Sequence, residues 1–106
     1  MDSVINGLKD FLDNSPSMYH AVAYLEKELA EAGYTCLPES AQWKLVPGGK
    51  YYLTRGGSTV IAFRIPEGEI KGFMMSASHS DRPCFKIKEN GEQVGKYTRL
   101  TTEVYG

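Results

Sequence analysis

Apolar residues recur at helical spacing in two stretches at the start of the chain. The first stretch predicts a helix that ends before the helix-breaking sequence DNSPS; its apolar members are Val4, Ile5, Leu8, Phe11 and Leu12. The second stretch predicts a helix with Ser15 as its N-cap, Pro16 as its first residue and Gly33 just after its last turn. Its apolar members are Met18, Val22, Leu25, Leu29 and Ala32. The chain is therefore predicted to open with two helices joined by a tight corner.

The spacing of the apolar residues changes after Gly33. The sequence YTCLPES is irregular or forms a short strand. The sequences YYLTR and STVIAFRI flank Gly56 and Gly57, which predicts a β-hairpin because glycine readily takes the positive φ of such turns. Residues 59–65 are rich in β-branched and aromatic side chains, so we expect this strand to be buried on both faces.

Three further segments complete the predicted β-rich part. The sequence FMMSAS is predicted to be another buried strand, and it leads directly into His79. The sequence CFKIKEN alternates, with Asn90 and Gly91 as a predicted turn, and YTRLTTEVYG is a predicted final strand. Two N-terminal helices followed by a β-rich portion predict an α/β fold, and we treat residues 1–106 as a single unit.

The composition narrows the functional classes. The 106 residues are 42% hydrophobic and 24% charged, with a net charge of −1, which is typical of one small globular domain. The basic residues are scattered, so we expect no nucleic-acid binding. No signal peptide or membrane-spanning apolar run is visible. Cys36 and Cys84 are too few for a disulfide framework and lie among apolar residues, which predicts buried free thiols and a cytoplasmic location.

The sequence His79-Ser80-Asp81 carries the candidate chemistry. Residues i and i+2 of an extended chain point to the same side, so His79 and Asp81 should project together from the end of the FMMSAS strand. Open α/β sheets bind their ligands at the carboxyl ends of strands. A metal-binding imidazole commonly donates its second N–H to a carboxylate. The spacing is compatible with a metal-ligating histidine and its orienting aspartate, but a lone histidine is more often a structural, hydrogen-bonded residue.

Four sequence blocks resemble the aspartyl aminopeptidase family of zinc metallopeptidases. In chain order they are SPSMYHAV, GGKYYLTRGGSTVIAFRI, GFMMSASHSDRPCFKIK and TEVYG. The family pattern at these places is Ser-Pro-Ser-Pro-Phe-His-Ala-Val, a tyrosine-rich strand with a Thr-Arg turn, His-Thr-Asp-Ser-Pro, and Val-Glu-Val-Tyr-Gly-Gly. The resemblance extends from about Phe11 to Gly106, which is nearly the whole chain.

The resemblance implies that the chain is the N-terminal part of the catalytic domain of a larger aminopeptidase. His79 matches a zinc ligand of the family, and Asp81 matches the aspartate that orients this histidine and helps to set up the catalytic centre. The implied enzyme holds two zinc ions per active site, removes N-terminal residues, preferably Asp or Glu, from peptides, and is a homo-oligomer. Its other ligands and its general base have no counterpart in this chain, so the 106-residue segment alone is expected to be inactive.

The departures from the family pattern are local. Ser80 replaces threonine, Arg82 replaces serine, and Met18-Tyr19 replaces Pro-Phe. Arg82 is the least conservative change because it is expected to add a cation beside Asp81.

Several other residues have a simpler interpretation than a site. His20 is interpreted as a structural residue of the second helix, Cys84 as buried rather than as a zinc ligand, and the Tyr51-Tyr52 pair as one core and one surface residue. The Lys86 and Lys88 side chains are expected on a solvated strand face. The alternative to an aminopeptidase segment is a stand-alone, non-catalytic folding or assembly module.

Overall fold

The computed structural model describes residues 1–105 and has helices followed by strands, as predicted. The elements are α1 (Asp2–Asp13), α2 (Met18–Glu31), β1 (Thr35–Cys36), β2 (Lys50–Arg55), β3 (Thr59–Arg64), β4 (Cys84–Gln93) and β5 (Arg99–Tyr105). The α/β class with two N-terminal helices is therefore confirmed. The last residue of the predicted final strand, Gly106, lies outside the described residues.

The N-cap of α2 is Ser17 and not Ser15, so that prediction was wrong. Ser17 has extended backbone angles (φ −139°, ψ 168°), and its Oγ accepts a hydrogen bond from the His20 backbone N–H at 3.4 Å. Ser15 instead donates its backbone N–H to the Leu12 carbonyl at 3.2 Å, and so belongs to the end of α1. An N-cap side chain must reach the N–H two or three residues ahead, and a helix that begins at Met18 leaves only Ser17 in that place.

Gly33 ends α2 as predicted. Its φ of 85° lies in the left-handed region that glycine adopts without a steric penalty. The Gly33 N–H donates to the Ala30 carbonyl at 3.1 Å and the Tyr34 N–H donates to the Leu29 carbonyl at 2.9 Å. This pair of bonds is a Schellman motif, which satisfies carbonyls at the end of the helix.

The first three strands form one sheet in the order β1-β2-β3. The β2–β3 hairpin is antiparallel, with Tyr52 opposite Ala62, and β1 adds in parallel on the other side of β2. Gly56 and Gly57 have φ of 62° and 70°, which confirms the predicted turn. Because the turn requires positive φ at both positions, the two glycines set where the hairpin closes.

The strand buried on both faces is β2 and not β3. Tyr51 and Leu53 pack with Leu37 on one face, beside Phe63 and Ile65. Tyr52 points to the other face, is 8% exposed, and burial raises the pKa of its hydroxyl. The predictions for residues 59–65 and for one surface tyrosine were therefore wrong. The physical reason is position: β2 is the central strand, whereas β3 is an edge strand of this sheet.

Helix α2 lies against this sheet and supplies two buried residues, Ala21 and Val22. Helix α1 buries none of its residues and joins α2 through Phe11 and Asp10. The Phe11 and Tyr24 rings meet edge to face with centroids 5.3 Å apart, and the Tyr24 hydroxyl donates to Asp10 Oδ2 at 2.6 Å. Buried residues therefore lie on both faces of β2 and on α2, with α1 at the periphery.

The sequence FMMSAS does not form the predicted buried strand. Residues 69–83 have no helix or strand, and the Phe73, Met74 and Met75 side chains are almost fully exposed. A strand is buried on both faces only when neighbouring strands and covering elements are present. Within residues 1–105 no strand pairs with this segment. Cys36 and Cys84 are likewise exposed, against the prediction of buried thiols.

Strands β4 and β5 form a separate antiparallel ribbon. Asn90 and Gly91 lie inside β4 and not in a turn, so this prediction was wrong. The register shifts between Ile87 and Glu92, and Asn90 has a φ of 53°. A positive φ and a register shift within a paired strand are the marks of a β-bulge, which explains why the Asn-Gly pair does not reverse the chain.

The described residues form an elongated molecule. Its radius of gyration is 19.1 Å and its extents are 68 × 40 × 23 Å, whereas a compact domain of this length has a radius of gyration of about 13 Å. The three-stranded sheet with its helices is joined to the two-stranded ribbon by residues 67–83, the extended segment, which has no helix or strand. None of the helices in residues 1–105 combines the length and the apolar character that crossing a membrane requires.

Candidate metal-binding site

His79 and Asp81 are joined by a hydrogen bond, with His79 Nδ1 and Asp81 Oδ1 2.9 Å apart. An ionised carboxylate can only accept, so Nδ1 carries the proton. In the neutral ring the other nitrogen, Nε2, then keeps a free lone pair. The predicted pairing of the two side chains is confirmed, and it leaves His79 in the tautomer that ligates a metal through Nε2.

The charge of Asp81 is favoured by the same contact. The hydrogen bond with His79 lowers the pKa of the Asp81 carboxyl, and partial desolvation opposes this effect. The side chain of Asp81 is 35% exposed, whereas that of His79 is 91% exposed. The carboxylate thus lies towards the protein and the imidazole lies towards solvent, with its ring open to a ligand.

The pair does not stand at the end of a strand, because FMMSAS forms none. It lies in the irregular segment before β4. The expectation that residues i and i+2 face the same side still holds, since His79 and Asp81 meet across Ser80. The residues between and after them bond backbone carbonyls elsewhere in the molecule. Ser80 Oγ donates to the Ser58 carbonyl at 2.8 Å, and Arg82 Nη2 donates to the Pro16 carbonyl at 2.7 Å.

Arg82 does not pair with Asp81, contrary to the expectation of a cation beside that carboxylate. Its guanidinium bonds the Pro16 carbonyl instead. Among residues 1–105, the side chain that bonds the Asp81 carboxylate is that of His79. Ser80 likewise bonds a backbone carbonyl, that of Ser58. Neither contact was predicted from the sequence, because each joins residues that are far apart along the chain.

The site offers one side chain suited to bind zinc, that of His79. An open pocket of about 380 Å³ is lined by His79, Asp81, Arg82 and Pro83. Zinc is bound by imidazole nitrogen, thiolate or carboxylate, and an imidazole whose other N–H meets a carboxylate is the usual arrangement. Within the part of the chain that the structure describes, no three His, Cys, Asp or Glu side chains are grouped to hold a metal. His79 therefore fits zinc as a single ligand, with Asp81 holding its ring.

His20 lies apart from this pair, at the start of α2. Its Nδ1 is 2.7 Å from Ser17 Oγ, and its backbone N–H donates to the same hydroxyl. These contacts belong to the cap of the helix. The structural interpretation of His20 has this hydrogen bonding in its favour, and its effect on catalysis stays a prediction.

The other residues considered as candidates lie outside the His79–Asp81 pair. Lys86 and Lys88 are exposed on β4, as predicted, and the Lys86 ammonium lies 5.5 Å from the centre of the Tyr105 ring. Tyr51 and Tyr52 are both core residues. Cys84 is exposed at the start of β4 and belongs to no metal-binding group within residues 1–105.

Comparison with known proteins identifies the family. Residues 11–106 match the family described as Aminopeptidase I zinc metalloprotease (M18). A protein named Probable M18 family aminopeptidase 2, from Clostridium novyi (strain NT), is 40% identical over 105 residues, which are 95% of this chain and 24% of that protein. A protein of the same name from Pseudomonas putida (strain GB-1) is 41% identical over 108 residues, 99% of this chain and 25% of that protein. The chain thus spans about a quarter of the length of these relatives.

Solved structures agree with this result. The chain superposes on one in the cryo-EM structure of the Ape4 and Nbr1 complex with a TM-score of 0.82 and 34% identity, covering 92% of this chain and 19% of that one. The structure of Chaetomium thermophilum mApe1 gives a TM-score of 0.82 and 35% identity, covering 93% of this chain and 23% of that one. On the family match and these likenesses, the chain belongs to the M18 family of zinc metalloproteases.

Proposed function

We propose that this chain forms the N-terminal part of the catalytic domain of a zinc aminopeptidase that removes N-terminal Asp or Glu residues from peptides. The observation that carries the proposal is the 2.9 Å bond between His79 Nδ1 and Asp81 Oδ1, which leaves Nε2 of the imidazole free. The M18 family match supports the zinc chemistry. The acidic preference rests on the resemblance to aspartyl aminopeptidases alone.

His79 would hold one zinc ion through Nε2, and Asp81 would hold the ring in that orientation. Bound zinc supplies a Lewis acid that polarises a peptide carbonyl and lowers the pKa of a coordinated water. Asp81 keeps the Nδ1 proton in place and raises the basicity of the ligating nitrogen. Because the imidazole of His79 is exposed, a zinc ion on it would be open to other metal ligands from outside this chain.

The number of zinc ligands in residues 1–105 determines where the rest of the site must come from. A hydrolytic zinc needs about three protein ligands and an open position, and within residues 1–105 no such group exists. We therefore propose that the remaining ligands of two zinc ions and the general base come from other parts of a longer protein. The 106-residue segment alone would then be inactive. The complete protein is proposed to be a cytoplasmic homo-oligomer.

Three variants of the complete protein test the proposal by zinc content and turnover of a peptide with N-terminal Asp. His79→Ala is expected to lose zinc and abolish turnover. Asp81→Asn is expected to lower zinc affinity or turnover by about 10–100-fold, the usual effect of losing a partner of a metal-bound histidine. His20→Gln is the matched control and is expected to change stability more than turnover.

Full zinc content and near-normal turnover in both His79→Ala and Asp81→Asn, together with an inactive His20→Gln, would show that the site has been assigned to the wrong histidine. A peptide series with N-terminal Asp, Glu, Ala and Leu tests the substrate class separately. Equal kcat/KM for all four would contradict the acidic preference and leave the zinc role intact.

A non-catalytic folding or assembly module is the second candidate. The observations in its favour are the single zinc ligand and the extensive exposed apolar surface of residues 1–105. The intact mass of the native gene product separates the two. A native chain of 11.8 kDa would favour the module, whereas a product about four times as long would favour the enzyme, since the relatives have that length.

A further inference from the structure

The segment that carries His79 is joined to the folded part of the molecule by two side chains. Ser80 Oγ donates to the Ser58 carbonyl, in the turn of the β2–β3 hairpin, at 2.8 Å. Arg82 Nη2 donates to the Pro16 carbonyl, in the corner between α1 and α2, at 2.7 Å. Within residues 1–105 these are the hydrogen bonds that connect residues 67–83 to the helices and the three-stranded sheet.

The two carbonyl acceptors, of Pro16 and Ser58, belong to different parts of the fold. Pro16 immediately precedes the N-cap of α2, and α2 packs on the sheet through Ala21 and Val22. Ser58 belongs to a turn fixed by two glycines with positive φ. Both carbonyls thus have defined positions, and contacts to them fix the segment at two points on either side of Asp81.

We propose that Ser80 and Arg82 are positioning residues that clamp the extended segment to α2 and the hairpin, so that the His79–Asp81 pair is held ready for zinc. The inference rests on the proposed function for its metal, and on the two hydrogen bonds for its geometry. Arg82 carries the larger share, because a charged guanidinium makes a stronger bond to a carbonyl than a serine hydroxyl does.

The clamp depends on the side chain at position 82. The family pattern has serine where this sequence has Arg82, and a serine side chain is too short to replace the long reach of a guanidinium. The carbonyl of Pro16 remains an acceptor whatever stands at position 82. Arg82→Ser is therefore the informative substitution, since it introduces the residue of the family pattern and removes only the reach and the charge.

The geometric test uses electron-paramagnetic-resonance distances in the complete protein that contains this chain. Spin labels are attached at Lys27→Cys on α2 and Ser78→Cys beside the pair, with the native cysteines replaced by serine. Arg82→Ser is expected to broaden the distance distribution between the labels. Arg82→Lys is expected to narrow it again in part, because lysine keeps the charge and one donor. Arg64→Ser, at an exposed arginine that ends β3, is the matched control and is expected to change nothing.

The second test measures zinc dissociation in metal-buffered competition, and kcat and KM. Arg82→Ser is expected to weaken zinc about tenfold, at the low end of the loss typical for residues that support a metal ligand, and to lower kcat with little change in KM. The midpoint of thermal unfolding is recorded for each variant, so that a general loss of stability is recognised. If Arg82→Ser does not fold, Ser80→Ala gives the same comparison with a smaller change.

The outcomes separate this inference from the proposed function. An unchanged distance distribution in Arg82→Ser overturns the clamp. A broader distribution with zinc lost in His79→Ala but unchanged in Arg82→Ser overturns the positioning role. A broader distribution with zinc unchanged in both variants supports the clamp and contradicts the proposed zinc role of His79. A broader distribution with weaker zinc in both supports the whole inference.

Discussion

A single carboxylate determines what His79 can do. Because Asp81 Oδ1 accepts from Nδ1 at 2.9 Å, the free lone pair of the neutral ring is on Nε2, on the side open to solvent. The sequence alone predicted this pairing, since the two-residue period of an extended chain is a local property. The contacts of Ser80 and Arg82 depend on residues that are 22 and 66 positions away, and no local rule predicts them.

The hydrogen bond between Tyr24 and Asp10 gives a second prediction about a single side chain. Its hydrogen bond to Asp10 raises the pKa of the Tyr24 hydroxyl to about 12. The bond favours the neutral hydroxyl in the folded state, so its contribution to stability is present below the ordinary pKa of about 10 and is lost as the pH rises from about 10 to 12.

Urea unfolding of the 106-residue chain at pH 9 and pH 11 tests this contribution. Tyr24→Phe removes the hydroxyl and keeps the ring that packs edge to face on Phe11. At pH 9 we expect Tyr24→Phe to unfold at a lower urea concentration than the parent. At pH 11 we expect the difference between their urea midpoints to be smaller. Tyr19→Phe, at an exposed tyrosine of the same helix, is the control. An equal margin at both pH values would contradict the assigned hydrogen bond.

Among the elements, the hairpin turn and the end of α2 were predicted correctly, whereas the N-cap of α2, the Asn90-Gly91 turn and the buried strands were not. The Gly56-Gly57 hairpin and the Gly33 helix end depend on backbone angles that the glycines themselves permit. The buried strand expected at FMMSAS depends on neighbouring strands, and no strand within residues 1–105 pairs with it. Asn90-Gly91 has the composition of a turn, but pairing with β5 continues on both sides of it. The bulge was therefore not visible from the sequence.

Gly91 is predicted to be required for the register of the ribbon. A Cβ at this position would lie 2.7 Å from the Lys88 carbonyl oxygen and 3.0 Å from the Thr101 carbonyl oxygen, both of them backbone atoms. Gly91→Ala is therefore expected to destabilise the β4–β5 pairing by about 1–3 kcal/mol, the usual cost of overpacking.

The measurement is the set of cross-strand nuclear Overhauser effects between β4 and β5. We expect Gly91→Ala to lose those between Ile87 and Thr102, which are paired beside the bulge. Gly95→Ala is the matched control, because the nearest atom to its added Cβ is 3.9 Å away. Retention of the full pattern in Gly91→Ala would show that the bulge tolerates a side chain.

The whole molecule presents one candidate zinc ligand on an elongated body with a radius of gyration of 19.1 Å. Its exposed apolar residues include Phe73, Met74 and Met75, which precede His79 by four to six positions in the sequence. Large exposed apolar patches are typical of surfaces that bind a partner or a ligand. The family resemblance predicted the zinc chemistry from separate sequence blocks, whereas burial at the site was predicted wrongly because it depends on packing that this chain does not supply by itself.

The isolated 106-residue chain is therefore predicted to lack aminopeptidase activity. One imidazole cannot satisfy the roughly three protein ligands of a hydrolytic zinc, so zinc binding should be weak as well. Calorimetry with zinc and an assay for release of N-terminal Asp check both expectations. Zinc-dependent release of Asp by the purified chain, or tight stoichiometric binding that His79→Ala abolishes, would mean that Asp81, Cys84 or another local group completes a site.

The position of zinc in a crystal of the complete protein shows directly whether His79 binds the metal through Nε2. Anomalous scattering at the zinc absorption edge locates the metal without any assumption about its ligands. We predict a zinc ion about 2.0–2.1 Å from His79 Nε2, the usual zinc–imidazole distance, with Nδ1 still bonded to Asp81. Zinc bound with the His79 ring outside coordination distance, or bound through Nδ1 with the Asp81 contact broken, would contradict this prediction.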